Sequence, residues 1–212
     1  MVAVKNQGKA YPFGYSQYEE NGEQITNFAL YSSVADAVEL CLFENSKKEQ
    51  RFAMNCSENI WHIALSGVAN GMQYGFRITA ENDRTLANPN KLMLDPYAKA
   101  VVGKPDLSSP EVRSIFQLND PRDNAEFAPK GQIIETAFDW QHDKAPKTPW
   151  AETVIYELSV KGFSQLRAEL PETVRGTYAG LAHTQSVAYL KELSVTAMEL
   201  LPINYHVNEP HL

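Results

Sequence analysis

Three segments in the last third of this chain constrain its fold more than any other feature. They are an apolar run of strand length, Thr153–Val160, a helical stretch, His183–Leu193, and a second strand, Thr196–Leu201, closed by Pro202. A mostly apolar run is expected of a parallel strand covered on both faces. In the middle stretch Val187, Leu190 and Leu193 recur at helical spacing, Thr184 stands where an N-terminal cap belongs, and Lys191 and Glu192 point outward. Strand, helix and strand in this order specify a right-handed βαβ unit.

The first part of the chain follows another rhythm. Short alternating runs at 27–31, 37–43, 60–65 and 73–80 are separated by turn residues, the pattern of an antiparallel β-sandwich. Period-two alternation turns Phe28 and Leu30, Val38, Leu40 and Leu42, Trp61, Ile63 and Leu65, and Tyr74, Phe76 and Ile78 inward. Asn21-Gly22 and Asn70-Gly71 tolerate positive φ, and Asn45-Ser46 falls where a strand should reverse. Between 103 and 149 the pattern fails, and six of the twelve prolines fall there, each removing a backbone donor. The expected organisation is therefore a sandwich over 1–102, a proline-rich connector over 103–149 and a βαβ remnant over 150–212. The connector's Phe116, Phe127, Ile133, Ile134, Phe138 and Trp140 are expected to pack rather than float.

Composition narrows the partners. With 43% hydrophobic and 21% charged residues the chain can build a core. A net charge of −7 repels nucleic acid and anionic lipid, which leaves a neutral ligand as the expected partner. Cys41 and Cys56 are too few and too far apart for a metal cluster, and read as buried thiols in a reducing compartment. Met-Val-Ala-Val-Lys leads into polar Asn6 and Gln7 without the apolar run of a signal peptide, and no apolar stretch is long enough to span a bilayer, so a cytoplasmic location is expected.

Several ordered motifs carry a resemblance. Val154-Ile-Tyr-Glu-Leu-Ser-Val-Lys-Gly-Phe163, Arg175-Gly-Thr-Tyr-Ala-Gly-Leu181, Tyr189-Leu-Lys-Glu-Leu193 and Glu199-Leu-Leu-Pro202 resemble the bacterial glycogen-debranching enzymes of the isoamylase type, in the α-amylase superfamily. Upstream, Asn88-Pro-Asn-Lys-Leu-Met-Leu-Asp-Pro-Tyr-Ala98, Arg122-Asp-Asn-Ala125 and Ala128-Pro-Lys130 look like the same family's connector signatures. The resemblance implies an immunoglobulin-like starch/glycogen-binding sandwich followed by a (β/α)8 barrel that hydrolyses α-1,6 branch linkages of glycogen or limit dextrin without a cofactor. It further implies an Asp nucleophile, a Glu general acid and a second Asp on barrel strands four, five and seven, beyond Leu212. Such a barrel takes roughly 250 residues, so the stretch from Trp150 onward holds only its first two strands. No catalytic residue is carried over, and the chain alone is expected to be inactive. A stand-alone α-glucan-binding or domain-docking module is the alternative; a branching or trehalose-forming relative is a weaker one. The family usually has His at Ser159 and Gly at Ser194, where glycine would suit a left-handed helix cap.

Trp61, Tyr74 and Trp140 are the candidate glucan contacts, since an aromatic face covers the apolar face of a glucose ring. Core packing competes for the first two, and for Trp140 a seal between domains. Glu157, without a second carboxylate at working distance, is read as a structural ion-pair or hydrogen-bond anchor, and Asp95 as a turn former. His206, Glu209 and His211 match no metal-ligand spacing, so no metal site is expected. Oligomeric state is not legible.

Overall fold

The computed structural model describes residues 1–44, 48–81, 87–135 and 137–207. The Asn45-Ser46 turn, Glu209 and His211 lie outside them. The chain forms two compact units, one built on Met1–Ala137 and one on Phe138–His206. Their boundary falls inside the stretch that the sequence marks as a connector.

The first unit contains strands β1 (Ala3–Asn6), β2 (Gly14–Glu20), β3 (Glu23–Tyr31), β4 (Ala37–Glu44), β5 (Lys48–Ala53), β6 (Asn55–Ser57), β7 (Ile60–Ser66), β8 (Gln73–Thr79) and β9 (Val101–Val102). Helix α1 (Pro110–Ile115) and β10 (Lys130–Gln132) complete it. One sheet runs β1-β7-β3-β2 with β6 also on β7, and the other β5-β4-β8-β10-β9, with antiparallel pairing throughout. Register explains the core. Phe28 lies opposite Ile63 and Leu30 opposite Trp61 in the first sheet, Leu40 opposite Phe76 and Leu42 opposite Tyr74 in the second. These residues join Tyr15, Val38 and Leu65 in one buried cluster, with Ile78 packed partly exposed against it. Each such side chain contributes about 1.5–3 kcal/mol relative to exposure.

The expected strands recur in β3, β4, β7 and β8. β2 and β5 escaped the pattern because each lies at the end of its sheet and alternates with polar residues, as edge strands do. At the β2–β3 turn Asn21 and Gly22 adopt φ of 54° and 78°. The proline-rich stretch is less irregular than its composition suggests. Ser109 caps α1 by accepting from the Val112 N–H, with Pro110 in the first turn where its missing donor costs nothing. β10 pairs with β8, and Ile133 enters the main core. Cys41 is buried as expected, but Cys56 is exposed, because β6 is a short edge strand.

The second unit contains β11 (Ile155–Leu158), α2 (Val160–Ser164), α3 (Tyr178–Leu181), α4 (Thr184–Glu192) and β12 (Ala197–Leu200). β11 and β12 pair in parallel, Ile155 with Ala197 through Leu158 with Leu200, so the βαβ unit is present. Its core is small: Leu158, Leu181 and Leu190, flanked by Tyr156, Val160, Phe163, Val195 and Leu200. Three expectations need correction. β11 is shorter than 153–160 and is not covered on both faces, since Ile155 and Glu157 are exposed. On α4 only Leu190 of the apolar stripe is buried, while Val187 and Leu193 remain exposed, because a two-stranded sheet is too narrow to cover the helix. The cap is His183, whose Nδ1 accepts from the Gln185 N–H, and Thr184 is the first helical residue.

α4 ends in a Schellman motif. The Ser194 N–H donates to the Lys191 carbonyl at 2.9 Å and the Val195 N–H to the Leu190 carbonyl at 3.0 Å. Ser194 takes φ of 59°, the left-handed conformation that glycine would enter without strain. No helix among the described residues is long and apolar enough to cross a membrane.

Candidate functional site

Two of the residues that the sequence singles out, Trp61 and Tyr74, lie in the buried sandwich core. Tyr74 is fully buried and donates its hydroxyl to Asp95 Oδ2 at 2.7 Å; Trp61 is 7% exposed, with its indole N–H directed at the Ser32 carbonyl at 3.4 Å. Neither presents a ring face to a ligand. Both occupy inward positions where apolar packing outweighs any surface role. Trp140 belongs to the other unit, is 66% exposed, and packs edge-on against Phe138 with centroids 4.7 Å apart.

A second set of rings, absent from the candidates that the sequence offers, adjoins on the sandwich, with Tyr11 and Tyr97 exposed and Phe13 half-buried between them. Tyr11 and Phe13 lie 5.0 Å apart at the entry to β2, and Phe13 lies 5.2 Å from Tyr97. Their planes tilt by 40° and 38° in turn. Tyr11 is 63% and Tyr97 48% exposed. The strip is held in place from below. Gly14 has φ of 76°, and a Cβ there would stand 2.8 Å from the Tyr97 Cβ, so only glycine lets the Tyr97 segment lie this close to β2. Asp95 Oδ1 accepts from the Tyr97 N–H at 2.8 Å, and the Ala98 N–H closes the turn onto the Asp95 carbonyl. Asp95 is thus the expected turn former, and its other oxygen ties the turn to core Tyr74. Burial raises the Asp95 carboxyl above its ordinary value, against the opposing hydrogen bonds from Tyr74 and Tyr97. The one sequence hint was Tyr11-Pro12-Phe13-Gly14, two aromatics around a proline outside any alternating run; that Tyr97 joins them is a property of the fold.

Ionic chemistry is concentrated elsewhere. Arg77, 1% exposed, donates through Nε and Nη2 to both oxygens of Glu49 at 2.7 and 3.0 Å, and through Nη2 to Asp123 at 2.8 Å. Burial alone would raise the Glu49 carboxyl, but hydrogen bonds from Arg77, Cys41 and Arg51 and the Arg77 charge hold it at about 2. Burial, reinforced by Glu49, pushes the Cys41 thiol well above its ordinary range, so it is not a thiolate nucleophile. Beside this network lies a cavity of about 830 Å³. Phe43, Phe127 and Val112 form apolar walls, and Lys104 and Glu126 contribute polar groups. The Lys130 ammonium, also lining it, donates to the carbonyls of Ala125 and Ala128.

In the second unit, Glu157 pairs in register with Glu199 on the adjacent parallel strand, which places two carboxylates side by side on one face of the sheet. Parallel register thus brings a second carboxylate, which sequence spacing does not reveal, beside Glu157. Its expected ion-pair or hydrogen-bond partner is not found among the described residues, because the facing residue carries the same charge. Both glutamates are exposed. Ser159, at the other departure from the family, caps α2 by accepting from the Gly162 N–H at 3.3 Å. Among the described residues no group of three His, Cys, Asp or Glu side chains could hold a metal ion; His206 Nδ1 lies 3.3 Å from the Asn204 carbonyl.

Comparison with known proteins adds three findings. Residues 12–98 match carbohydrate-binding module 48, the isoamylase N-terminal domain. Over all 212 residues the chain is 58% identical to a Glycogen operon protein GlgX homolog of Haemophilus influenzae, and over 209 residues it is 43% identical to a Glycogen debranching enzyme of Serratia proteamaculans. These alignments take in 100% and 97% of this chain but 32% and 31% of the relatives, so the chain spans about a third of their length. Among solved structures, the catalytic module of the multi-modular glycogen-degrading pneumococcal virulence factor SpuA superposes with a TM-score of 0.68 at 22% identity, over 93% of this chain and 28% of that one. A pullulanase from Paenibacillus barengoltzii superposes at 0.67 and 20% identity, over 93% and 28%. At these identities the structures attest the fold alone.

Proposed function

Because the chain is similar along its whole length to the amino-terminal third of bacterial glycogen-debranching enzymes of the isoamylase type, we propose that it forms the corresponding part of an enzyme that hydrolyses α-1,6 branch linkages in glycogen or limit dextrin. The 58% identity over all 212 residues carries this reading. On it, the sandwich is the glucan-facing module, and β11, α4 and β12 are the opening strand, helix and strand of the (β/α)8 barrel. The cytoplasm, where glycogen is stored, is the compartment the reading requires.

These 212 residues perform no hydrolysis by themselves. Retaining cleavage needs two carboxyl groups about 5 to 5.5 Å apart across the scissile bond, one charged and one protonated. Glu157 and Glu199 lie side by side, but both are exposed on an open two-stranded sheet. A solvent-exposed pair cannot enclose the glycosidic oxygen in a water-excluded site. Their place is the floor of the barrel, with the reacting acids supplied by later strands.

The test is a chimera in which these residues replace the matching third of the Haemophilus relative. Debranching of limit dextrin by the folded chimera is the expected result. A folded chimera without activity contradicts the assignment.

A further inference from the structure

We infer that the strip of Tyr11, Phe13 and Tyr97 is a docking platform for a linear stretch of α-1,4-linked glucan. The inference rests on the debranching-enzyme reading and gives its glucan-facing module a surface.

Exposure is the first observation. Tyr15, Phe28 and Tyr74 are sequestered in the core at 2% exposure or less, whereas Tyr11 and Tyr97 turn 63% and 48% of their surface to solvent. Two exposed rings joined through half-buried Phe13, rather than scattered singly, mark a contact surface. Rigidity is the second. Gly14 admits Tyr97 against β2, and buried Asp95 holds the Tyr97 backbone while bonded to core Tyr74. The rings are thus ordered before a ligand arrives, which removes much of the entropy cost of binding.

Chemistry selects the occupant. A pyranose presents apolar C–H faces bordered by hydroxyls, which matches aromatic faces edged by the phenol groups of Tyr11 and Tyr97. None of the three side chains carries a formal charge, and the chain's net charge of −7 disfavours a polyanion. The centroid spacings of 5.0 and 5.2 Å place three rings in succession, and the tilts of 40° and 38° keep them out of one plane, as a curling α-1,4 chain requires of its support. Phe13 and Tyr97 also stand near the two ends of the stretch 12–98 that matches a carbohydrate-binding module, and Tyr11 directly precedes it.

The experiment is affinity electrophoresis of the 212-residue chain in gels with and without glycogen, paired with a maltoheptaose titration followed by tyrosine fluorescence. Wild type should be retarded by glycogen. Tyr11→Ala and Tyr97→Ala should each weaken binding about tenfold, a loss of about 1.4 kcal/mol by the affinity relation, and the double variant should migrate as if glycogen were absent. Tyr97→Phe, which keeps the ring, should retain most of the affinity, and circular dichroism should show every variant folded. Wild type that neither slows in glycogen nor responds to maltoheptaose overturns the platform. So does a folded double variant that binds as well as wild type, and so does an interface in which rings 11 and 97 are covered only by a second copy of the chain as concentration rises. An active chimera with an unretarded sandwich would reject the platform while leaving the debranching assignment standing.

Discussion

Ser194 shows a residue whose chemistry disagrees with its backbone. It occupies φ of 59° after α4 while its neighbours complete both Schellman hydrogen bonds, and a β-carbon there costs about 1–2 kcal/mol that glycine avoids. Ser194→Gly should therefore stabilise the second unit by about 1 kcal/mol, seen as a higher urea midpoint for its transition; an unchanged or lower midpoint would count against the strain. This strain was legible in advance, because the family pattern has glycine at that position. The Arg77 network was not: Glu49 and Asp123 reach the arginine from segments far apart in sequence. Glu49→Gln should destabilise the sandwich by about 3 kcal/mol at neutral pH, since it strips a partner from a buried guanidinium. The Glu49 carboxyl lies at about 2 in the folded chain, below its ordinary value of 4.5. Its contribution is thus complete above the ordinary value and lost as pH falls from there toward 2. Melting curves across that range should show wild type and Glu49→Gln converging in acid, and parallel curves would refute the linkage.

At the scale of elements, legibility follows burial. β3, β4, β7 and β8 lie inside their sheets, so their alternation is strict and the sequence displays it. β2 and β5 are edges, half polar, and left no periodic trace. α1 and β10 were hidden in a proline-rich stretch whose helix cap and ladder pairing depend on tertiary partners. The second unit fails in the opposite direction. Its strands look buried in sequence but only Leu158 is, since among the described residues β11 and β12 pair with each other alone, and Ile155, Met198 and Leu201 are exposed. An open sheet edge with apolar neighbours opens readily. Limited proteolysis should accordingly cut within 150–206 well before β3 or β7; equal resistance of both units would contradict this account of a thin core.

For the whole molecule, a sandwich followed by a parallel βαβ unit was legible, while the surface that meets solvent was not. A period-two pattern identifies the rings that point inward, as it did for Trp61 and Tyr74, and so removes them from the exposed set. It gives no information on which loop aromatics meet in space, and Tyr11, Phe13 and Tyr97 come together only because β2 and the Asp95 turn are neighbours. The acidic pair Glu157 and Glu199 arises in the same way, from parallel register rather than sequence spacing. The central claim is that these residues supply scaffold and glucan contact to a debranching enzyme without the acids that cut. It is tested most directly by incubating the purified 212-residue chain with glycogen limit dextrin and measuring the release of reducing ends. The account predicts a rate indistinguishable from the buffer blank; release of linear maltooligosaccharides from branch points that disappears in Glu157→Gln would contradict it.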